Sequence, residues 1–508
     1  MRNVLFLILA LFFTACYSQS LTDINESIKA GQLSKAKAAV KHELAHNDSL
    51  SQYESLIMKQ QLSRINVILD DYCYTYEEMF ARLKKDIPDL SQEDVRNWEA
   101  DTSLEYHLVD GKKMYYVAFP YNLFKLCKEA EQRRVKDNGK PRRKKKYDHI
   151  KHKKAVIREA EKTGFPYVLP KRVKVCMTFF EKADGIPDGT VIRGWLPVAR
   201  DIEKQQDITL TSVHPEPAFI SNSGGHLNAS VYVEKQVNRD SSATAYWRDN
   251  LENPPQEWRY SFDKPERFVT DDAVLFQIIF EYTAYGVYRN ISPADVLPFD
   301  TSAPEYTMYT REEEPHLKFT PALKTLSRQI IGNEENYYLK AKKIYEYICR
   351  NVPWTSPDYS SADCLADNIA KLKRGDCGSK AFLFVALCRL NGIPARLQGG
   401  WLTRPFKGHT QHGWAQMYVE PYGWLTVDPD AGSHLIDNKD DKLKYFHFGN
   451  CESYRLIVYD DTMPLFPLKI HGSNYGGNKT GGLQLGAFEW AGGELEANII
   501  IDTDVEDM

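Results

Sequence analysis

The chain has 508 residues, enough for about three domains of ordinary size. Hydrophobic residues make up 43% and charged residues 26%, the balance of a soluble globular protein. A formal net charge of −4 argues against a dedicated nucleic-acid-binding protein.

Residues 1–18 have the pattern of an export signal. Arg2 is followed by an apolar stretch, Val4 to Phe13, that is too short to span a bilayer. The end of this stretch, Phe13 to Cys16, resembles a lipobox, so lipidation of Cys16 would anchor the mature protein to a membrane. The alternative is ordinary cleavage near Ser18 and a soluble product. Both readings predict an exported protein of the periplasm or outer membrane, and we favour the lipoprotein.

Residues 19–165 are predicted to be mainly helical, because apolar residues recur at helical spacing over Ile28–Leu44 and Tyr53–Leu69. Asp110-Gly111 predicts a short hairpin within this region. Twelve Lys and Arg residues lie between positions 133 and 154. They could bind anionic lipid headgroups or acidic glycan, but no regular interleaving of aromatic residues organises a binding surface. We therefore interpret this run as a solvated linker.

Residues 166–300 are predicted to form a β-sandwich, because short apolar strands alternate with Gly, Pro and Asn turns. Its expected role is to position the protein or recruit its substrate. Residues 301–460 form the next predicted domain. Residues 461–508 are Gly-rich with short strands, and we expect a β-rich extension that packs on the neighbouring domains.

The most informative segment of residues 301–460 places Cys377 between Asp376 and Gly378, where an apolar helix begins. The helix is apolar on all sides, which predicts burial, and Asn391-Gly392 ends it. Backbone N–H groups in a first helical turn have no intrahelical partner, and the helix dipole is positive there. Both favour a thiolate, so Cys377 is a candidate nucleophile. The alternative is an inert core cysteine.

A second segment supplies partners for this cysteine. His412 begins a predicted strand, and Asp428 ends the next one after the turn Glu420–Gly423. A hairpin centred on Glu420 makes His412 and Asp428 direct opposites on one face, with Cβ atoms roughly 5 Å apart. Asp428 could then orient the imidazole. A turn centred one residue later would shift this pair by two positions.

Each of these residues alone is more often structural than catalytic, but their order and context favour a catalytic set. The residues resemble the transglutaminase-like superfamily over Ala341 to about Gly432, and more loosely to about residue 460. The resemblance is carried by Gly375-Asp376-Cys377, Gly392-Ile393-Pro394-Ala395-Arg396, His412-Gly413-Trp414 and Gly423-Trp424-Leu425-Thr426-Val427-Asp428-Pro429. It implies an α+β fold with a papain-like core and a Cys-His-Asp triad of Cys377, His412 and Asp428. Gly413 departs from the small side chain that is usual there.

The resemblance implies a cysteine-dependent enzyme that cleaves amides or transfers acyl groups through a thioester, and the export signal makes it an exported one. The expected substrate is a peptide or protein amide, and we favour hydrolysis because nothing in the sequence indicates a closed amine tunnel. The alternatives are a protein-crosslinking transglutaminase and a non-catalytic envelope binding protein that retains the fold. Trp354 and Trp414 are candidates for the substrate groove, and Trp354 for an oxyanion donor.

We predict no cofactor and no metal. Apart from Cys16 and Cys377, seven scattered cysteines remain, and an odd number does not suit a disulfide framework. No Cys-x-x-Cys pair indicates zinc, and no acidic cluster resembles the calcium sites of animal transglutaminases. Cys349 and Cys364 flank a loop near the candidate site, but we do not expect them to pair.

Overall fold

The computed structural model describes two compact units. The described residues are 20–47, 50–135, 149–182, 186–221, 230–237, 273–314, 316–403, 410–460, 484–495 and 498–508. Those up to residue 135, together with 355–362, form unit 1, and the others form unit 2. Cys16, the rest of the export signal and most of the basic run lie outside the described residues.

Unit 1 is mainly helical and starts with a helical segment over residues 20–29. Its further helices are α1 (Leu33–His46), α2 (Gln52–Asp71), α3 (Tyr76–Asp86), α4 (Gln92–Ala100), α5 (Phe119–Leu126) and α6 (Lys128–Arg133). Ser51, Thr75 and Ser91 begin α2, α3 and α4 with capping boxes, in which a hydroxyl accepts one backbone N–H and a carboxylate accepts another. These starts are thus set by local sequence.

A short hairpin interrupts the helices, as the sequence predicts. Strands β1 (Tyr106–Val109) and β2 (Lys112–Tyr115) are joined by Asp110 and Gly111, both at positive φ. The helix predicted from Ile28 to Leu44 is broken at Gly31, whose φ is 69°. A Cβ at Gly31 would lie 2.0 Å from the carbonyl oxygen of Leu108, so the approach of β1 separates two helices.

The segment 355–362 joins unit 1 through buried polar contacts. Asp358 accepts hydrogen bonds from Tyr72 Oη at 2.8 Å and from the backbone N–H of Ser360 at 2.9 Å. Arg64 Nε donates to the carbonyl oxygen of Ser360 at 3.0 Å. Hydrogen bonding of this kind compensates for burial of a carboxylate and a guanidinium.

Unit 2 contains both helices and strands. Its helices are α7 (His149–Thr163), α8 (Pro304–Thr310), α9 (Pro321–Ile331), α10 (Tyr337–Asn351), α11 (Leu365–Leu372), α12 (Cys377–Leu390), α13 (Pro429–Ser433) and α14 (Asp441–Lys444). Its strands are β3 (Tyr167–Lys182), β4 (Val191–Pro197), β5 (Gln205–His214), β6 (Pro217–Ser221), β7 (Ser230–Gln236), β8 (Ala273–Val287), β9 (Ala395–Leu402), β10 (Thr410–Val419), β11 (Gly423–Val427), β12 (Arg455–Asp460), β13 (Ala487–Trp490), β14 (Gly493–Leu495) and β15 (Asn498–Asp507).

Two antiparallel sheets form the β-sandwich. Their strand orders are β14-β13-β4-β7-β6 and β15-β3-β8-β5, so the C-terminal strands belong to these sheets. One hydrophobic cluster contains buried residues from both sheets, including Val175, Ile192, Phe280 and Phe488. Burial of such side chains stabilises the fold by roughly 1.5–3 kcal/mol each.

A third sheet with the order β11-β10-β9-β12 carries the candidate site. Helix α12 packs on β10, and its residues from Ser379 to Arg389 are all buried, as the apolar sequence predicts. Trp401 and Leu456 extend the sandwich cluster into this sheet. The predicted α+β fold, with a sandwich before the core and a helical N-terminal region, is confirmed.

Membrane-spanning helices and disulfide bonds are both absent from the described residues. None of the described helices combines the length and apolar character that crossing a bilayer requires. The eight cysteines of the described residues are free thiols, and these include Cys349 and Cys364.

Candidate active site

Cys377 is half-buried at the first residue of α12. Asp376 caps the helix, because its carboxylate accepts the backbone N–H of Ser379 at 2.8 Å. Gly375 has no room for a side chain, since a Cβ there would lie 2.3 Å from the Cβ of Ser379. Each residue of Gly-Asp-Cys therefore has a structural role. The glycine permits the close packing of the backbone before the helix, the aspartate caps the helix, and the cysteine is its first residue.

Trp354 lies beside this helix entry. It forms a parallel bridge with Gly375, and the Gly375 N–H donates to the carbonyl oxygen of Pro353 at 3.2 Å. The Trp354 side chain is 40% exposed, so its ring presents apolar surface to solvent next to the thiol-bearing turn. Its predicted place in a substrate groove is compatible with this position and stays a prediction.

The hairpin of β10 and β11 is centred on Pro421, so the register predicted around Glu420 is wrong. Val419 pairs with Gly423, which leaves a three-residue loop. The Tyr422 N–H donates to the Val419 carbonyl at 2.7 Å, and Gly423 takes a φ of 75°. These features close the loop one residue later than predicted.

This shift moves the register by two positions, which places Asp428, just after β11, opposite Trp414 instead of His412. Two residues is the side-chain period of a strand, and His412 and Asp428 therefore remain on the same face. His412 Nε2 lies 2.8 Å from Asp428 Oδ2, a hydrogen bond between neighbours on the diagonal. The predicted pair is present although its predicted register is not.

Asp428 is fully buried and accepts hydrogen bonds at both oxygens. Oδ1 caps α13 by accepting the Ala431 N–H at 2.9 Å. Oδ2 accepts from His412 and from Arg455 Nη2, each at 2.8 Å. Burial alone would raise the pKa of this carboxyl, but His412 and Arg455 outweigh it and hold the pKa well below its usual range.

His412 lies between the carboxylate and the thiol. It is 5% exposed, and Cys377 is a hydrogen-bond partner of its imidazole alongside Asp428. Burial opposes the imidazolium, but the charges of Asp428 and Cys377 outweigh it and raise the pKa of His412 well above its usual value. The three predicted triad residues are therefore brought together around one imidazole.

Trp414 does not line an open groove, contrary to the prediction. Its side chain is fully buried, and its Nε1 donates to Gln398 Oε1 at 2.6 Å. The guanidinium of Arg455 lies over its ring at 4.7 Å from the ring centroid. Because strand alternation sends residue 414 to the His412 side of the sheet, the indole packs behind the triad and supports it.

Three supporting residues were missed by sequence analysis. Arg455, the first residue of β12, binds Asp428 and also Glu452 Oε1 at 3.2 Å. Gln484 Nε2 donates to the carbonyl oxygen of His412 at 2.6 Å. Lys380 on α12 is buried and its Nζ donates to Asp430 on α13 at 2.8 Å. Only Lys380 had a local signal, a charged residue in an otherwise apolar helix.

No group of three or more His, Cys, Asp and Glu side chains suitable for a metal ion occurs within the described residues. The donor set around Cys377 consists of one thiol, one imidazole and one carboxylate that is already bound by a guanidinium. That set suits proton transfer and nucleophilic attack.

Comparisons with known proteins agree with the resemblance seen in the sequence. Residues 324–429 match the family model of the Transglutaminase-like superfamily. An uncharacterized protein of Haemophilus influenzae is 26% identical over 51% of this chain and 71% of its own length. The uncharacterized protein YebA of Bacillus subtilis is 23% identical over 25% of this chain and 20% of its own length.

Among solved structures, a Cytophaga hutchinsonii protein provisionally described as a cysteine protease matches with a TM-score of 0.42 and 15% identity. The match covers 67% of this chain and 93% of that one. The segment that holds Cys377, His412 and Asp428 lies within the residues that match the Transglutaminase-like superfamily.

Proposed function

We propose that the protein is a cysteine-dependent enzyme that hydrolyses amide bonds in peptides or proteins. One observation carries the proposal: the His412 imidazole is hydrogen-bonded to Asp428 at 2.8 Å and has the Cys377 thiol, at a helix start, as its other partner. This is the arrangement of an activated nucleophile whose base is oriented by a third group.

In the first half-reaction, Cys377 Sγ, having passed its proton to His412, attacks the amide carbonyl carbon. A C–S bond forms, and the backbone N–H of Cys377, at the start of α12, helps to hold the negative charge on the carbonyl oxygen. Collapse breaks the C–N bond while His412 returns its proton to the departing amine. The products are a thioester on Cys377 and a free amine.

In the second half-reaction, water resolves the thioester. Acylation removes the negative charge of the sulfur, which is one of the charges that raise the pKa of His412. The imidazole can then take a proton from water, and the hydroxide adds to the thioester carbonyl. The C–S bond breaks, the acid is released and the thiol regains its proton. An amine in place of water would give transfer instead.

In the decisive experiment, the full chain is incubated with peptide substrates, with and without a primary amine, and the masses of the products are measured. We expect the free acid as the main product in both mixtures. An amine-coupled product in excess over the acid would favour the crosslinking alternative. No product from any peptide, with a Cys377 no more reactive than other thiols, would favour a non-catalytic binding protein.

Variants of the three residues test the assigned roles. Cys377→Ala should abolish the acyl-enzyme, and His412→Ala should lower turnover nearly as far because both half-reactions need the base. Asp428→Asn keeps the shape of the side chain but removes its charge, and should lower kcat on the order of 10²–10⁴-fold. Full turnover in Cys377→Ala would refute the proposal.

Export to the cell envelope, with a lipid on Cys16, is a separate proposal that rests on the sequence of residues 1–18 alone. Mass spectrometry of the mature N-terminus from the native host tests it. A lipidated Cys16 is expected. An unmodified N-terminus at Gln19 would indicate ordinary cleavage and a soluble exported protein.

A further inference from the structure

A cavity of about 280 Å³ lies in unit 2, beside the sheet that carries the triad. Its walls include Lys204, Arg289, Arg396, Trp424 and Thr426, and none of the three triad residues lines it. Thr426 on β11 is two residues before Asp428, so the cavity adjoins the strand that leads to the triad. A volume near the lower end of known ligand sites suits a small molecule.

Lys204 brings a buried positive charge to this cavity. The side chain is nine-tenths buried, and its Nζ donates to Thr426 Oγ1 at 2.7 Å and to Cys451 Sγ at 3.5 Å. An ammonium has three N–H donors, so one is left over. Lys204 forms no ion pair with any carboxylate among the described residues. Burial lowers the pKa of Lys204 and the charge of Arg455 adds to this effect, while Cys451 and Glu452 oppose it without reversing it.

Arg289 brings a second charge of the same kind. Its Nη2 donates to Tyr167 Oη at 2.8 Å, and its guanidinium lies 5.1 Å from the centroid of the Tyr167 ring. Within the part of the chain that the structure describes, Arg289 also has no ion pair with a carboxylate. Its remaining N–H donors offer the planar fork that suits carboxylate recognition.

The carboxylates at the cavity are already engaged. Asp460 is bound by Arg200, by Arg396 Nη2 at 3.1 Å and by Gln398 Nε2 at 2.5 Å. Glu203 accepts the hydroxyl of Tyr167. Three cations and two carboxylates line the cavity, which leaves a net charge of +1. This balance favours a monoanion over a dianion such as a phosphate ester.

We propose that this cavity binds a small organic carboxylate of about the size of an N-acylated amino acid. Its carboxylate would lie between the Lys204 ammonium and the Arg289 guanidinium. Its apolar body would lie against Tyr422 and Trp424, which line the same cavity. A bound carboxylate would supply the ion pair that Lys204 does not make with any carboxylate of the described residues.

Isothermal titration of the full-length Cys377→Ala protein tests the proposal without requiring turnover. N-acetylphenylalanine should bind, and N-acetylphenylalanine amide, which lacks only the charge, should bind at least about tenfold more weakly because charge-assisted hydrogen bonds are lost. Inorganic phosphate and a longer peptide with a free C-terminus are further arms. Equal binding of acid and amide, tighter binding of phosphate or of the long peptide than of the acid, or no binding of the acid would overturn the proposal.

Variants of the two cationic side chains show whether the ligand binds in this cavity. Arg289→Gln and Lys204→Met should each weaken N-acetylphenylalanine binding at least about tenfold. Arg172→Gln is the matched control, since Arg172 pairs with Glu281 on the sandwich and does not line the cavity. Arg289→Gln changes a half-buried side chain and keeps the test valid if Lys204→Met does not fold. Unchanged affinity in Arg289→Gln would place the ligand elsewhere. Failure here would leave the proposed amide hydrolysis untouched, because that is measured by turnover.

Discussion

Asp428 Oδ2 is shared by two cationic donors, and this sharing organises the candidate site. His412 Nε2 and Arg455 Nη2 both lie 2.8 Å from this oxygen, and Glu452 lies on the far side of Arg455. Opposite charges therefore alternate from the His412 imidazolium to the Asp428 carboxylate, the Arg455 guanidinium and the Glu452 carboxylate. A buried charge pair is stable only when every member has its partner, so removal of one affects the others.

The reactivity of Cys377 is the first consequence that can be measured. Cys377 is half-buried with His412 as its partner, whereas Cys73 is exposed and has a raised pKa because of partial burial and nearby acids. Iodoacetamide near pH 6 should therefore alkylate Cys377 faster than Cys73, although Cys73 is more accessible. Peptide mass spectrometry of timed samples measures both rates. Equal rates, or faster labelling of Cys73, would contradict activation by His412.

Arg455 is a positioning residue, and its effect should be visible in a pH profile. Its cation helps lower the pKa of Asp428, so Arg455→Met should raise that pKa. The carboxylate would then be protonated at higher pH, and the acid limb of Cys377 alkylation should move upward by about one pH unit or more. Arg455→Lys should restore part of the shift. Arg350→Met, at an exposed arginine that pairs with Asp437, is the control. A lower melting temperature with an unmoved acid limb would mean that Arg455 only stabilises the fold.

At the scale of elements, two glycines on paired strands differ sharply in the space around them. A Cβ at Gly400 on β9 would lie 1.8 Å from the carbonyl oxygen of Leu456, where β12 pairs with β9. A Cβ at Gly413 on β10 would lie 3.4 Å from the Cα of Gly378, which is ordinary contact. Gly400 thus permits the approach of the strand that begins with Arg455.

We expect Gly400→Ala to displace β12, lower stability by roughly 3 kcal/mol and slow Cys377 alkylation, because Arg455 moves with its strand. Gly413→Ala should change stability by less than about 1 kcal/mol. Thermal unfolding and labelling of both variants measure these effects. A destabilisation by Gly413→Ala as large as that by Gly400→Ala would contradict the packing described between β9 and β12.

Local sequence was sufficient for the elements but not for every contact between them. The helix at Cys377, the strands of His412 and Asp428 and the hairpin at Asp110 follow from capping, alternation and turn residues close to them in the chain. The register of β10 and β11 depends on a hydrogen bond and a positive φ within one loop, which residue types alone do not determine. Arg455 and Gln484 reach the site from strands or segments far along the chain, and no local pattern indicates such contacts.

At the scale of the whole molecule, three histidines of unit 2, one buried and two half-buried, have lowered pKa values. Burial lowers the pKa of His447 to about 3, and burial likewise lowers the pKa values of His152 and His214, each to about 4. His447 is 1% exposed, and Glu452 lies 3.8 Å from its Nδ1, too far to offset the burial of a charge. Protonation of these side chains is therefore easier in the unfolded chain than in the folded one.

This difference predicts how stability depends on pH. Below about pH 6.5, the pKa of histidine in the unfolded chain, these side chains bind protons in the unfolded state but not in the folded state. The free energy of unfolding should therefore fall as pH falls from about 6.5 to about 4. Each fully excluded proton contributes a slope of about 1.4 kcal/mol per pH unit. His412, whose folded pKa is raised, does not oppose this trend, because it is protonated in both states over most of the window and its contribution is lost only as pH rises.

In His447→Gln the slope should drop by about one proton, whereas His434→Gln, at an exposed position on the surface of unit 2, should leave it unchanged. Urea unfolding at pH values from 4.5 to about 7.5, followed by tryptophan fluorescence, gives the slopes. Identical slopes in the parent protein and His447→Gln would show that His447 accepts its proton while buried, with Glu452 as its counter-charge.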